Sequence, residues 1–303
     1  MGLINNINLL FYLLLFIACN PTASNSSIKM SSQSEYNLDE PALSLFLPKE
    51  LKEISGISYF SDDKAIAIQD EHAVLYYLSL AKGEIIDSLK FGEDGDFEGI
   101  TSDENYIYVL RSDGHIFSMP KIVTDSPKVN KFNTILDNRY DTEGICFNPI
   151  SKNLLIACKE NADDSKEAMR NIYSFSPENG NLEKNPAFSI KLSDVQNFLK
   201  RAAETAEFDE IREYFEDAGE DFFYPSDIAV HPISGDIYIC STKSISLLIT
   251  IGQDGKLKNI QLIPEEILPQ TEGISFTPKG DLILCSEGKP KDERLFIFKW
   301  KGN

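Results

Sequence analysis

The chain has 303 residues, of which 42% are hydrophobic and 25% are charged, and its formal net charge at pH 7 is −19. These proportions are typical of a globular protein with an ample core, and the length suits two ordinary domains or one large all-β domain. A strongly negative surface repels phosphate backbones and anionic membrane surfaces, so the charge argues against nucleic-acid binding. A negative surface favours the binding of cations or basic partners, or it serves only to keep the protein soluble.

The N-terminal segment differs from the rest of the chain. Its first nineteen residues, MGLINNINLLFYLLLFIAC, carry no charge and contain an apolar run at residues 9–18. That run is too short for a membrane-spanning helix, which needs roughly 20 residues, and it matches the hydrophobic region of a signal peptide. The segment ends in FIAC, which resembles a bacterial lipobox, whose cysteine receives diacylglycerol and becomes the new N-terminus. We predict a lipoprotein signal peptide at 1–18 and a lipidated Cys19; an ordinary secretory signal or a short hydrophobic anchor is the alternative.

The next segment, residues 19–40, is rich in Ser and Asn and poor in apolar groups. Such a composition does not fold alone, so we predict a flexible tether here and a folded domain at 41–303.

One short motif recurs five times along that domain, as EISGISYF, DFEGITSD, DTEGICFN, YPSDIAVH and QTEGISFT. Its small residues are separated by 43, 45, 83 and 46 positions and are Gly56, Gly99, Gly144, Asp227 and Gly273. Each motif starts an apolar strand, which is followed by a polar turn, a strongly β-type strand, a third strand and a more variable fourth. Four strands at such a period are typical of a β-propeller blade.

The two ends of the domain complement each other. The last repeat stops at Trp300 after three strands, and the strand ALSLFLP at 42–48 precedes the first repeat. We predict that this strand completes the last blade and so removes the open edge of the ring. The expected fold is therefore all-β, a propeller of five four-stranded blades.

The longest gap between repeats contains residues 193–222, where apolar residues recur at helical spacing. Ser193 or Asp194 is a candidate N-cap for a first helix, and Gly219 is a candidate end for a second. We predict a helical hairpin inserted between the third and fourth blades. Six blades, with the insertion built around a degenerate blade, is the alternative.

Carboxylates are predicted to converge at the propeller axis, because the first strand of each blade lies nearest to it. The residues before the small position are Ser55, Glu98, Glu143, Ser226 and Glu272. Residues i and i+2 share a face of a strand, so Asp96 should point with Glu98, and Asp141 with Glu143. The second strands end in further channel-lining candidates, namely Asp70, Glu71, Arg111, Lys159, Lys243 and Glu287.

Converging carboxylates repel one another, so some must hold protons or bind a metal ion. Ca²⁺ or Mg²⁺ is the natural neutraliser, since both prefer oxygen ligands. The predicted ligands of an axial Ca²⁺ are Asp96, Glu98, Asp141, Glu143 and Glu272. Three alternatives stay open: a structural network with Arg111 and Lys159, bonds from the glutamates to amides of neighbouring blades, and a catalytic carboxylate.

Other chemistry-bearing residues follow no catalytic pattern. Three cysteines lie at comparable repeat positions, and we predict four free, buried thiols, with a Cys146–Cys158 disulfide as the alternative. The four are Cys146, Cys158, Cys240 and Cys285. The histidines, His72, His115 and His231, fall at non-equivalent positions and are predicted in turns or at the surface. A nucleophile elbow and a glycine-rich phosphate loop are both absent from the sequence.

The stretch from EISGISYF through AIAIQDE to GDFEGITSDENYIYVLRSDGHIF resembles the SdiA-regulated protein family, propellers of bacterial envelopes. There, an ISGI stretch, a DE pair and a DFEGI stretch follow one another at similar spacing. The resemblance covers residues 45–300 and is strongest over 53–118. Similar EGI repeats occur in esterase-like phytase domains. The resemblance implies a propeller, an envelope location and a candidate Ca²⁺ ion, and it implies no established reaction.

Two functional hypotheses follow. The first is an exported, monomeric lipoprotein, in the outer membrane or the periplasm-facing envelope, whose propeller binds an envelope protein, a glycan or a small molecule. The second is a metal-dependent hydrolase of phosphoesters or lactones that uses the axial carboxylates.

Overall fold

The computed structural model describes residues 34–122, 127–161, 168–202, 204–216, 218–219, 222–243, 245–288 and 292–302. Within these ranges the chain forms five antiparallel sheets and two α-helices. The sheets are arranged in a ring, so the protein is a five-bladed β-propeller. The predicted fold class is confirmed, and the six-bladed alternative is wrong.

The strands follow the repeat, with four strands in each blade except blade 3, which has five. Blade 1 contains β2 (Ile54–Ser61), β3 (Lys64–Gln69), β4 (Val74–Ser79) and β5 (Ile85–Lys90). Blade 2 contains β6 (Phe97–Ser102), β7 (Tyr106–Arg111), β8 (Ile116–Pro120) and β9 (Asn130–Phe132). Blade 3 contains β10 (Thr142–Asn148), β11 (Asn153–Cys158), β12 (Met169–Ser176), and β13 (Asn181–Leu182) and β14 (Phe188–Lys191), which both pair with β12. Blade 4 contains β15 (Pro225–Val230), β16 (Ile237–Ser241), β17 (Leu247–Ile251) and β18 (Leu257–Leu262). Blade 5 contains β19 (Thr271–Phe276), β20 (Leu282–Ser286), β21 (Arg294–Phe298) and β1 (Leu43–Phe46).

Blade 5 is closed by the two ends of the chain, as predicted. β1 pairs antiparallel with β21, with Leu43 opposite Ile297 and Phe46 opposite Arg294. A short 3₁₀ helix, Lys49–Leu51, then leads into blade 1. Because the first strand completes the last blade, the ring has no open junction between its ends.

The folded part begins before the predicted boundary at residue 41. Tyr36 and Leu38 are 1% and 2% exposed and pack among side chains of blades 4 and 5. The Tyr36 hydroxyl also donates a hydrogen bond to the Gly280 carbonyl, at 2.6 Å. The prediction of a flexible tether was therefore wrong for residues 34–40, because two apolar side chains in a polar stretch are enough to dock it. The rest of the predicted tether, the signal peptide and Cys19 lie outside the described residues.

The insertion between blades 3 and 4 is helical, as predicted, with α1 at Leu192–Leu199 and α2 at Ala206–Glu216. The predicted ends were wrong. Lys191 is the N-cap of α1 and makes no side-chain capping bond, because β14 runs directly into the helix. At the other end, α2 stops before Gly219.

Both helices pack on the outer strands of blades 3 and 4. Val195 and Phe198 of α1, with Ile211 and Phe215 of α2, are buried in the core that these blades share. Leu262 of β18 donates its N–H to the Glu207 side chain at 3.1 Å. Within the described ranges, neither helix is long and apolar enough to cross a membrane.

Buried side chains fill the spaces between adjacent blades. The four cysteines named above are buried and free, which confirms that prediction and excludes the Cys146–Cys158 disulfide. His231 lies in a turn as expected, yet it is fully buried among Tyr238, Phe276 and Trp300.

The innermost strands β2, β6, β10, β15 and β19 all run in the same direction. We call the face at their N-terminal ends the upper face and the face at their C-terminal ends the lower face.

Candidate functional site

Each innermost strand begins with a β-bulge at the upper face. The pairing with the second strand skips one residue in all five blades, and the skipped residues are Ser55, Glu98, Glu143, Ser226 and Glu272. A bulged residue is left out of the ladder and its side chain is re-aimed. The five positions that the repeat predicted are therefore equivalent in the structure.

The residues before the bulges do not follow strand geometry. Glu53, Asp141 and Gln270 adopt left-handed backbone conformations, with φ of 61°, 48° and 50°. The expectation that Asp141 and Glu143 share a strand face was wrong, because β10 starts only at Thr142. The acidic side chains still approach one another, but through the bulge and the left-handed turn.

Below the bulges, at the four glycine positions, the innermost strands come too close to one another for a side chain to fit. A Cβ on Gly144 would lie 2.7 Å from the Asp227 Cα, and one on Gly99 would lie 3.0 Å from the Glu143 carbonyl oxygen. This agrees with the tight approach predicted at the axis. We call this level the neck; its residues are Gly56, Gly99, Gly144, Asp227 and Gly273.

Asp227 ties three blades together at the neck. Its Oδ1 accepts the N–H of Ile228 and its Oδ2 accepts the N–H of Ile274, both at 2.8 Å, and the Ile145 N–H also donates to the carboxylate. Burial raises the pKa of Asp227 well above its ordinary value, and the three N–H groups oppose that shift. In the sequence, Asp227 occupies the small position of its repeat, and a carboxylate in a series of glycines was the signal for this role.

The two bulged serines hold neighbouring blades. Ser55 Oγ donates to the Phe97 carbonyl at 2.6 Å, and Ser226 Oγ donates to the Thr271 carbonyl at 2.7 Å. These bonds join blade 1 to blade 2 and blade 4 to blade 5. Both serines are thus structural.

Glu143 bears the strongest ion pair of the site. Lys159, just after β11, places its Nζ 2.6 Å from Glu143 Oε1, and Glu143 is only 6% exposed. Burial raises the pKa of Glu143 to about 7 although Lys159 lowers it. Burial lowers the pKa of Lys159, but Glu143, Asp141 and Glu272 raise it overall, so the lysine stays charged.

The other two bulged glutamates are protonated near neutral pH. Burial, the Glu143 charge and Asp96, which is hydrogen-bonded to it, raise the pKa of Glu98 to about 10. Burial and the Glu143 charge raise the pKa of Glu272 to about 8, although the Thr242 hydroxyl lies 3.3 Å from its Oε1. Thr242 follows β16 and was missed in the sequence, because hydroxyl residues are common in turns.

Asp70 extends the cluster to blade 1. Burial, followed by the charges of Glu53, Glu71, Glu287 and Asp96, raises the pKa of Asp70 to about 6. Its Oδ1 is buried without a protein hydrogen-bond partner. We call the carboxylates of this cluster the acidic ring: Asp70, Asp96, Glu98, Asp141, Glu143 and Glu272.

The other candidate cations have different partners. Arg111 donates to Asp113 through Nε at 2.9 Å and Nη2 at 2.6 Å. Lys243 lies 4.0 Å from the ring centroid of Tyr224, as a cation–π contact. The pairing of the acidic ring with Lys159 is observed, whereas the side-chain hydrogen bonds of Arg111 go to Asp113 and the charge of Asp96 acts on Arg111 as a further interaction.

The acidic ring is not a preformed metal site. In the part of the chain that is described, no three His, Cys, Asp or Glu side chains are grouped to hold one ion. Lys159 occupies Glu143 Oε1, so a Ca²⁺ ion would have to displace the lysine. The five predicted ligands therefore remain a prediction.

The lower end of the axis has different chemistry. A cavity of about 240 Å³ is lined by residues of all five innermost strands, and none of its lining residues is charged. Ser275 Oγ accepts the Tyr59 N–H at 2.9 Å, and Thr101 Oγ1 accepts the Phe147 N–H at 3.0 Å. These two hydroxyls of the lower cavity thus form hydrogen bonds between blades.

No protein-family model matches the sequence, and no curated protein is significantly similar to it. Among solved structures, the chain is similar to glutaminyl cyclase of Myxococcus xanthus, with a TM-score of 0.52 and 14% identity over 86% of this chain and 95% of that one. It is also similar to a luciferin-regenerating enzyme, with a TM-score of 0.50 and 11% identity over 87% of this chain and 96% of that one. At such identities the likeness concerns the fold alone.

Proposed function

We propose that the protein is a lipid-anchored, monomeric binding protein of the bacterial cell envelope, and that its acidic ring takes up a cation, with Ca²⁺ as the first candidate. One observation carries this proposal. The carboxylates of the acidic ring outnumber the cation bonded to them, Lys159, and burial together with the neighbouring carboxylates raises the pKa values of Asp70, Glu98, Glu143 and Glu272.

Stability alone gives no reason for such a cluster. Replacing buried charged groups by apolar residues of similar volume is often neutral or stabilising. Several carboxyl groups with raised pKa values at one axial site are typical of functional sites. Here Glu98 and Glu272 hold protons that a cation would replace.

Cation uptake has two requirements in this geometry. The carboxyl groups must lose their protons, and Lys159 must leave Glu143. Affinity should therefore rise with pH, as carboxyl groups with pKa values of about 7 and about 8 ionise. A basic group on an envelope protein, a glycan or a small molecule would bind to the same carboxylates.

The proposal is tested by calorimetric titration of the protein with Ca²⁺ at about pH 8 and about pH 6. We expect tighter binding at the higher pH and loss of binding in a Glu98→Gln/Glu143→Gln variant. Glu84→Gln is the matched control, because the Glu84 side chain is 71% exposed on the outer part of blade 1. Absence of binding at both pH values, or binding that survives the double substitution, would mean that the acidic ring does not take up Ca²⁺.

A metal-dependent hydrolase of phosphoesters or lactones is the second candidate. The observation that favours it is the raised pKa of Glu98 and Glu272, which keeps a proton available for general acid catalysis at neutral pH. The test is a panel of phosphoesters and lactones with Ca²⁺, Mg²⁺ or Mn²⁺. Turnover that disappears in Glu272→Gln but not in Glu84→Gln would support this reaction, and no turnover would reject it.

A further inference from the structure

The N-terminal segment leaves the propeller at the lower face. The Tyr36 hydroxyl donates to Gly280, in the turn between β19 and β20, and the Tyr36 ring contacts His231, in the turn between β15 and β16. Both turns follow the C-terminal ends of innermost strands. Ser34 is hydrogen-bonded to Gln261 of β18, and the Lys301 N–H, beyond the lower end of β21, donates to the Glu35 carbonyl at 2.9 Å. The connection to Cys19 therefore starts at the lower face.

That connection is short compared with the propeller. Residues 20–33 separate Cys19 from Ser34. Fifteen residue steps of a random coil would have a root-mean-square length of about 20 Å, and their fully extended reach is about 50 Å. The eight-residue strand β2 is itself about 26 Å long. A lipidated Cys19 would thus hold the lower face about 20 Å from the membrane on average and about 50 Å from it at most.

The lower face carries exposed apolar side chains in three successive blades. We call them the lower rim: Tyr106, Ile122, Ile150 and Ile233, which are 42%, 82%, 64% and 54% exposed. Single exposed apolar residues need no explanation, whereas a group on one face points to an interaction surface.

Contacts between turns join the lower rim in two pairs, Tyr106 with Ile122 and the turn of Ile150 with the turn of Ile233. The Lys121 N–H donates to the Asn105 carbonyl at 2.8 Å, which places Ile122 beside the turn of Tyr106. Ile150 Cδ1 lies 2.9 Å from the position of a Cβ on Gly235, so the turns of blades 3 and 4 touch. The rim therefore ends beside His231, where the N-terminal segment is docked.

The upper face differs from the lower rim in carrying the acidic ring, although turns of the lower face also hold acidic residues, among them Asp103 and Glu104 beside Tyr106. An anionic bilayer surface would repel the acidic ring. An orientation with the upper face towards the membrane would also require the connection to run along the side of the propeller.

We infer that the lower rim lies on the surface of the bilayer that holds the lipidated Cys19, so that the acidic ring faces away from the membrane. This inference rests on the lipid anchor of the proposed function. Four side chains give weak binding alone, but the anchor makes the contact intramolecular and so raises the effective concentration of the bilayer.

The test compares two exposed isoleucines on opposite faces, Ile150 at 64% exposure and Ile135, in the upper connection between β9 and β10, at 59%. Ile150→Cys and Ile135→Cys are made separately in the full chain and labelled with a fluorophore; the four propeller cysteines are buried and Cys19 carries the lipid. Each purified lipoprotein is inserted into vesicles of phosphatidylethanolamine and phosphatidylglycerol that contain spin-labelled acyl chains. We expect quenching about threefold or more stronger at position 150 than at position 135.

Equal quenching at the two positions, or stronger quenching at position 135, would overturn the inference. Adding Ile122→Asp/Ile233→Asp should reduce the quenching at position 150, whereas Ile135→Asp, in the upper connection, should not. A label at position 150 that is shielded from aqueous iodide in native envelopes, yet is unquenched by lipid, would mean that a protein covers the lower rim, and would also overturn it.

Mass spectrometry of the N-terminal peptide separates this inference from its premise. An unlipidated Cys19 would mean that the proposed anchor fails. A lipidated Cys19 without the difference between positions 150 and 135 would mean that only the orientation fails.

Discussion

The two ends of the five innermost strands arise from one repeated motif but differ in chemistry. At the upper end, the carboxylates of the acidic ring surround Lys159, and several have raised pKa values. At the lower end, the cavity lining is uncharged, and the hydroxyls of Thr101 and Ser275 accept backbone N–H groups of neighbouring blades. The neck, with Asp227 at its centre, separates the two ends.

This difference separates the part of the repeat that serves the fold from the part to which we assign the proposed binding function. The lower hydroxyls and the bulged serines complete hydrogen bonds between blades, so their contribution is to stability. The acidic ring retains charge that the surrounding protein only partly neutralises, which is why we assign the binding function to the upper face.

The largest effect should come from filling the neck that separates the two ends. Gly144→Ala would place a Cβ 2.7 Å from the Asp227 Cα, and backbone atoms cannot move aside as a side chain can. We expect a loss of about 3 kcal/mol of unfolding free energy, measured by urea denaturation. Gly219→Ala is the control, since a Cβ there meets nothing within 4 Å. Equal stability of the two variants would show that the neck is not close-packed.

A smaller effect, confined to the upper end, should follow from removing its lysine. In Lys159→Met, Glu143 stays buried without its ion-pair partner, so its pKa rises and its ionisation becomes more costly. We expect a loss of about 2 kcal/mol at about pH 8 and little change at about pH 5, where Glu143 is protonated in both proteins.

Lys256→Met removes an ion pair whose side chains are 83% and 55% exposed, and it should change stability little at either pH. A loss for Lys159→Met that is the same at both pH values would point to lost packing instead of lost charge.

The last expected effect has the opposite sign, a gain of stability. Glu272 has its folded-state pKa raised from 4.5 to about 8, so the folded protein binds this proton more tightly than the unfolded chain does. The stabilisation from the proton is complete below pH 4.5 and is lost as the pH rises through about 8. Glu272→Gln should thus be more stable than the natural protein at about pH 9 and equal to it in acid.

Thermal or urea unfolding across this pH range, with Glu84→Gln as the exposed control, measures the difference. A natural protein that becomes more stable between about pH 5 and about pH 9 would contradict the assignment of raised pKa values to the acidic ring.

The fold was predictable because each blade repeats the same local signals. The small residue at the neck, the β-type second strand and the incomplete last repeat together indicated both the number of blades and the closing strand β1. The docking of Tyr36 and Leu38 was not predictable from composition, because those two side chains stand in an otherwise polar segment and their partners lie in blades 4 and 5.

The candidate site was predictable in position but not in contacts. The repeat placed Glu98, Glu143 and Glu272 at equivalent points, and the structure shows all three at the same bulge. Lys159, and not Arg111, is bonded to the acidic ring because the Arg111 guanidinium is hydrogen-bonded to Asp113, two residues further along the chain. Such competition is set by side-chain distances in the folded ring, which a one-dimensional pattern does not contain.

The pairing of β1 with β21 also determines when the protein can become complete. Leu43 and its partner Ile297 lie near opposite ends of the chain, so the last blade cannot form until nearly every residue has been synthesised. Contacts between such distant residues slow folding, because a long loop must close first. A nascent chain therefore cannot complete blade 5 before β21 has been synthesised. A chain that lacks its last ten residues would leave β20 as an unpaired edge and would be prone to aggregate.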